Sequence, residues 1–98
     1  MGKKAVITGG SRGIGASIVE TLSNEGYDVV FSYLSNKESA DRLVQKITDK
    51  GGCAAAFQAD TSDFESAANF VAQAKEFLKD VDVLINNAGI TRDKSLFI

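Results

Sequence analysis

Hydrophobic positions along the chain change period in a regular way. Ala5-Val6-Ile7 is a short continuous apolar run closed by Thr8-Gly9-Gly10. That pattern predicts a strand buried on both faces, as in a parallel sheet. Ile14, Ile18, Val19 and Leu22 then fall at helical spacing, and Gly26 stands where a helix takes its terminal glycine. Val29-Val30-Phe31 reads as a second strand. Ser35-Asn36-Lys37-Glu38 matches a capping box, with Ala40, Leu43, Val44 and Ile47 as the apolar stripe behind it and Gly51-Gly52 as the stop. Cys53 to Ala59 is a third strand, weakened by its alanines. Ser62-Asp63-Phe64-Glu65 is another capping box, opening a helix whose expected inner face is Phe64, Ala67, Ala68, Val71, Ala74 and Leu78. Val81 to Ile85 is the fourth strand, running into Asn86-Asn87-Ala88-Gly89.

The order βαβαβαβ predicts an α/β fold: a parallel sheet with helices on both faces. Right-handed crossovers reduce the topologies to a doubly wound sheet of order 3-2-1-4. Such a sheet would leave the fourth strand as an open apolar edge, which native sheets seldom tolerate. Ser95-Leu96-Phe97-Ile98 is apolar and uncapped, so residues 1–98 are expected to be an incomplete, N-terminal portion of one domain.

Composition narrows the chemistry. With 98 residues, 11 basic and 13 acidic, the chain carries no electrostatic case for nucleic acid. A single Cys excludes a disulfide framework and a cysteine-cluster metal site, and the absence of His removes serine-hydrolase triads and most zinc sites. No metal ligand set is expected. Cys53, in an Ala-rich run, is expected to be a buried structural thiol. Ala5-Val6-Ile7 is too short for a signal peptide or a membrane span, so no membrane association is expected and the cytoplasm is the default.

Candidate chemistry lies in Thr8-Gly9-Gly10-Ser11-Arg12-Gly13-Ile14-Gly15, between the first strand and the first helix. A doubly wound fold binds phosphate there. Glycines let the backbone approach, and the helix N-terminus offers free N–H groups and the positive end of its dipole. The pattern is T-G-x-x-x-G-x-G, not the usual dinucleotide fingerprint. Without a ligand the same glycines would simply make a tight turn.

Together with Asn86-Asn87-Ala88-Gly89, this loop resembles the short-chain dehydrogenase/reductase family, whose fold is of the Rossmann type. The continuation Ile90-Thr91-Arg92-Asp93 is similar to the bacterial 3-oxoacyl-[acyl-carrier-protein] reductases of fatty acid synthesis, and also to acetoacetyl-CoA reductases. The resemblance implies that Gly9, Gly10, Ser11, Arg12, Ile14 and Gly15 surround the pyrophosphate and adenosine ribose. It implies that Asp60 and Thr61 contact the adenine; the alternative is that Asp60 merely begins a turn ahead of the Ser62 cap. Asn87, Ala88 and Gly89 would pass close to the cofactor ribose, and Asn86 would tie neighbouring strands together. It further implies an acyl carrier protein- or CoA-linked 3-oxoacyl substrate and a homotetramer.

Cofactor choice can be argued from the residues themselves. An NAD site wants Asp or Glu at the end of the second strand to hold the ribose 2′-hydroxyl. This chain has Ser32-Tyr33-Leu34-Ser35 there; Asp28 is at the wrong end and Glu38 belongs to the capping box. A 2′-phosphate is therefore not repelled, and Arg12 can bond it, helped by Ser35, Asn36 or Lys37. NADP(H) is expected, with Tyr33 lining the adenine pocket.

The family's catalytic Ser and Tyr-x-x-x-Lys have no counterpart here. Tyr33 and Lys37 match that spacing only by straddling a strand and a helix start. No catalytic residue is assigned, so the chain alone is expected to be inactive. The competing readings are another short-chain dehydrogenase, or a non-catalytic nucleotide-binding or interaction module.

Overall fold

The computed structural model describes residues 2–10, 13–87 and 96–97. The apolar run at the start forms β1 (Lys4–Thr8), buried at every position but Lys4. It sits in the middle of the sheet. β2 (Asp28–Tyr33) runs parallel to it on one side, with Val6 opposite Val30 and Ile7 opposite Phe31. β4 (Val83–Asn86) runs parallel on the other side, with Ile7 opposite Ile85 and Thr8 opposite Asn86. β3 (Ala54–Gln58) continues the sheet beyond β2. The parallel order is the expected 3-2-1-4. The fourth strand is not the edge, however: β5 (Leu96–Phe97) pairs antiparallel with it, Leu84 opposite Phe97. A short returning segment thus takes up the outer ladder of β4.

Alternate residues of the central strands serve two cores. Ala5, Ile7, Val29 and Phe31 face α1 (Gly13–Asn24) and α2 (Lys37–Asp49), meeting Val19, Leu43 and Ile47. Val6 and Val30 face α3 (Phe64–Leu78), meeting Phe70, Ala74 and Leu78. The helices therefore lie on both faces. Burying a ring such as Phe70 stabilises the fold by about 1.5–3 kcal/mol.

Several boundaries differ from the sequence reading, each for a local reason. The N-cap of α2 is Asn36, whose Oδ1 accepts the Ser39 N–H at 3.0 Å, rather than Ser35. The N-cap of α3 is Asp63, which accepts the Ser66 N–H at 2.9 Å, rather than Ser62. In both cases a longer Asx side chain one residue on out-competes the serine. Glu38 consequently pairs with Arg42 one turn along. The expected inner face of α3 holds at Ala74 and Leu78, which are buried, but Phe64 is 87% exposed, and Phe70, absent from the expected stripe, is fully buried. Ile14, read as part of the inner face of α1, is 69% exposed. β3 ends at Gln58 and begins after Cys53, so that thiol is exposed, not buried. β4 begins at Val83 because Asp82 is engaged across the sheet, its carboxylate accepting the Lys4 N–H at 2.7 Å.

Candidate functional site

The C-terminal ends of the parallel strands converge on one loop. β1 leaves the sheet at Gly9, which has φ 69°, and the chain passes over the end of β2 into α1. Gly9 N–H donates to Ser32 Oγ at 2.8 Å, and Gly10 N–H donates to the Ser32 carbonyl at 3.0 Å. Asn87 Nδ2 donates to the Gly9 carbonyl at 3.1 Å. Thr8 Oγ1 donates to Asn86 Oδ1 at 2.8 Å, which joins β1 to β4 just below the loop. The loop is thus held from both neighbouring strands.

Glycine is required here by space as well as conformation. A Cβ on Gly10 would lie 2.7 Å from Phe31 Cβ and 2.9 Å from Val19 Cγ2. One on Gly15 would collide with the Gly9 carbonyl oxygen and lie 2.9 Å from Asn87 Nδ2. Gly13 differs: with φ 58° it needs glycine for its backbone, but nothing lies within 4 Å of where a Cβ would stand. The first turn of α1 consequently opens outward. It also contains no acidic residue, whereas α2 and α3 place Glu38 and Glu65 in theirs. A helix start of this kind suits an anion: its N–H groups and dipole favour negative charge, and no carboxylate within that turn opposes it. A pyrophosphate fits these residues.

The other expected site residues fall as follows. Ser11, Arg12, Ala88 and Gly89 lie outside the described residues. Gly9, Gly10 and Gly15 come together in the loop, with Ile14 exposed beside it. Tyr33 belongs to the buried cluster that also holds Ala40 and Leu43. Ser35 is exposed just past the end of β2. Asp60 lies past the end of β3, beside β2, where Ala59 N–H donates to the Tyr33 carbonyl at 3.0 Å. Its carboxylate accepts the Ser62 hydroxyl at 2.6 Å and the Ser62 N–H at 3.1 Å. The hydroxyl first, and then the N–H, hold Asp60 below the usual carboxylate range. Thr61 sits half-buried in that turn, lining a groove with Thr8, Phe64 and Asn86.

Tyr33, Leu34 and Ser35, where β2 leaves the sheet, include no acidic residue. Asp28 is at the opposite end, 3.1 Å from Lys4 Nζ. Asp41 pairs with Lys37 at 2.8 Å. The exposed Cys53 thiol is pushed up by partial burial and then by the Asp28 charge, which disfavours its thiolate form. Among the described residues no group of acids and thiols could hold a metal ion, and no helix is long and apolar enough to cross a membrane.

Sequence reading missed Ser32. The available signal was a polar residue interrupting the run Val-Val-Phe-Ser-Tyr-Leu at the level of the glycine loop.

The sequence matches the family described as short chain dehydrogenase over residues 3–97. The chain belongs to the short-chain dehydrogenase family. A 3-oxoacyl-[acyl-carrier-protein] reductase of Staphylococcus aureus is 43% identical over 96 residues, which cover 98% of this chain and 39% of that protein. An uncharacterized oxidoreductase of Methylorubrum extorquens is 46% identical over 89 residues, 91% of this chain and 36% of the other. Among solved structures, a blue fluorescent protein from a metagenomic library in complex with NADPH superposes with a TM-score of 0.87 at 50% identity, covering 91% of this chain and 37% of that one. A short-chain dehydrogenase from Burkholderia cenocepacia in complex with NADP gives 0.87 at 44% identity, covering 98% and 39%. The chain therefore spans about two fifths of the length of these short-chain dehydrogenase relatives. Its glycine loop is the segment that the fold places at the C-terminal ends of the strands, where doubly wound sheets bind their ligands.

Proposed function

We propose that this chain is the N-terminal, cofactor-binding portion of an NADPH-dependent short-chain reductase, a cytoplasmic enzyme acting on a 3-oxoacyl thioester carried by acyl carrier protein or CoA. One observation carries the reading. A glycine loop fixed from β2 and β4 presents an acid-free helix start, and β2 runs into Leu34 and Ser35 with no acidic residue to repel a 2′-phosphate. Gly13, Ile14 and Gly15 would hold the pyrophosphate through backbone N–H groups; Arg12 and Ser35 would hold the 2′-phosphate. Tyr33, Asp60 and Thr61 would flank the adenine, and Asn87, Ala88 and Gly89 the nicotinamide-side ribose. When bound, the cofactor supplies the hydride. Proton transfer to the substrate oxygen belongs to residues that this chain does not contain. The complete protein is proposed to be a homo-oligomer, a tetramer by family resemblance.

Two measurements test this. The chain has no Trp, so the emission of bound NADPH can be followed without protein interference. NADPH is expected to bind more tightly than NADH, and equal or tighter NADH binding would overturn the cofactor choice. The 98-residue chain is expected not to oxidise NADPH with acetoacetyl-CoA above background, whereas the complete protein is expected to do so.

A further inference from the structure

We propose that Ser32 is a positioning residue for the cofactor pyrophosphate, acting only through the glycine loop; this rests on the reading of that loop as an NADP site. β1 and β2 pair regularly up to Ile7 opposite Phe31. At the next step β1 turns away at Gly9, with φ 69°, and its amide moves off the ladder. Ser32 replaces the lost ladder partner. Its hydroxyl accepts the Gly9 N–H at 2.8 Å while its carbonyl accepts the Gly10 N–H at 3.0 Å. The side chain is only 1% exposed, so water cannot substitute for it.

The same bonds decide which groups can reach a phosphate. The amides of Gly9 and Gly10 already have acceptors, so they are not anion donors. That task falls to the start of α1, whose direction depends on where the loop is pinned. Ser32 fixes it from β2 and Asn87 from β4, with the Gly9 carbonyl 3.1 Å from Asn87 Nδ2. The residue makes no claim on the 2′-phosphate end, which lies past Tyr33 at Ser35.

Two ligands separate the roles. NADPH contains the pyrophosphate; adenosine 2′-monophosphate keeps the adenine and 2′-phosphate and lacks it. Three variants are compared with the wild type: Ser32→Ala, and the near-isosteric pair Ser32→Thr and Ser32→Val. Removing the hydroxyl is expected to weaken NADPH roughly tenfold, the equivalent of one ordinary hydrogen bond, while adenosine 2′-monophosphate changes by less than about twofold. Ser32→Thr should restore NADPH binding and Ser32→Val should not. Independently of any ligand, amide hydrogen exchange at Gly9 should accelerate in Ser32→Ala and Ser32→Val and return in Ser32→Thr. Unchanged Gly9 exchange, or equal weakening of both ligands, overturns the role of Ser32. If the wild type binds NADPH no better than adenosine 2′-monophosphate, the pyrophosphate-site reading falls instead, and with it the proposed role.

Discussion

Asn87 donates its side-chain amide to the carbonyl of Gly9 at 3.1 Å, across 78 residues of sequence. One bond thus ties the end of β4 to the turn that follows β1. Asn87→Ala removes it and leaves a half-buried carbonyl without that donor. The expected loss is about 1 kcal/mol, or roughly 4–8 °C in melting temperature for a domain of this size. NADPH affinity should fall in parallel. A variant with unchanged melting and unchanged affinity would show that the bond holds nothing.

Gly13 and Gly15 are two residues apart and should behave differently. Gly15→Ala drives a methyl into the Gly9 carbonyl and against Asn87, which the backbone must move to accept. The expected cost is roughly 3 kcal/mol. Gly13→Ala meets open space and carries only the strain of its positive φ, about 1 kcal/mol. Urea titration of both variants checks the ranking, and a reversed order would contradict the loop geometry.

The 2′-phosphate preference can be reversed at one exposed position. Ser35→Asp supplies the carboxylate that β2 lacks at its end. NADH should gain on NADPH by at least about tenfold in the ratio of dissociation constants. A ratio that does not move would place the 2′-phosphate elsewhere.

The two phenylalanines of α3 offer a packing test. Phe70 is fully buried against Val6 and Val30, so Phe70→Ala should cost about 3–5 kcal/mol. Phe64→Ala should stay within about 0.5 kcal/mol. A larger loss at Phe64 than at Phe70 would place Phe64 on the inner face instead.

Asp60 gives a pH signature. Its folded pKa lies below the ordinary value because Ser62 hydrogen-bonds the charged form. Its contribution is therefore present above the unfolded pKa and disappears as pH falls through the folded one. The melting-temperature difference between wild type and Asp60→Asn should be largest near neutrality and shrink below about pH 4. A difference that persists unchanged in strong acid would assign it to something other than the carboxylate.

Much of this was legible in the residues. The buried run Ala5-Val6-Ile7 and the alternation that follows are strong periodic signals, and they place the sheet order and the glycine loop correctly. The errors lie at element ends. The capping-box pattern points to Ser35 and Ser62, whereas Asn36 and Asp63 cap the helices, each bonding the amide three residues on. In α3 the stripe holds at Ala74 and Leu78 but fails in the first turn, where Phe64 faces outward; Phe70, further along the helix, takes the buried position. Cys53 was placed inside a strand because small apolar residues do not mark where a strand begins. Ser32 went unseen for a different reason. Its importance comes from a backbone amide on another strand, and no local pattern encodes that partner.

The position of β1 has a consequence for how the chain acquires its shape. Its two edges are completed at different times. β2 can pair after one short crossover, but the partner on the other side arrives 78 residues later, as Thr8 and Asn86 record. Until then the central strand exposes unpaired amides and an apolar flank. Closing such a distant pair is entropically slow. During synthesis the loop's anchor from β2 therefore emerges well before the one from β4, which lies 78 residues beyond Gly9.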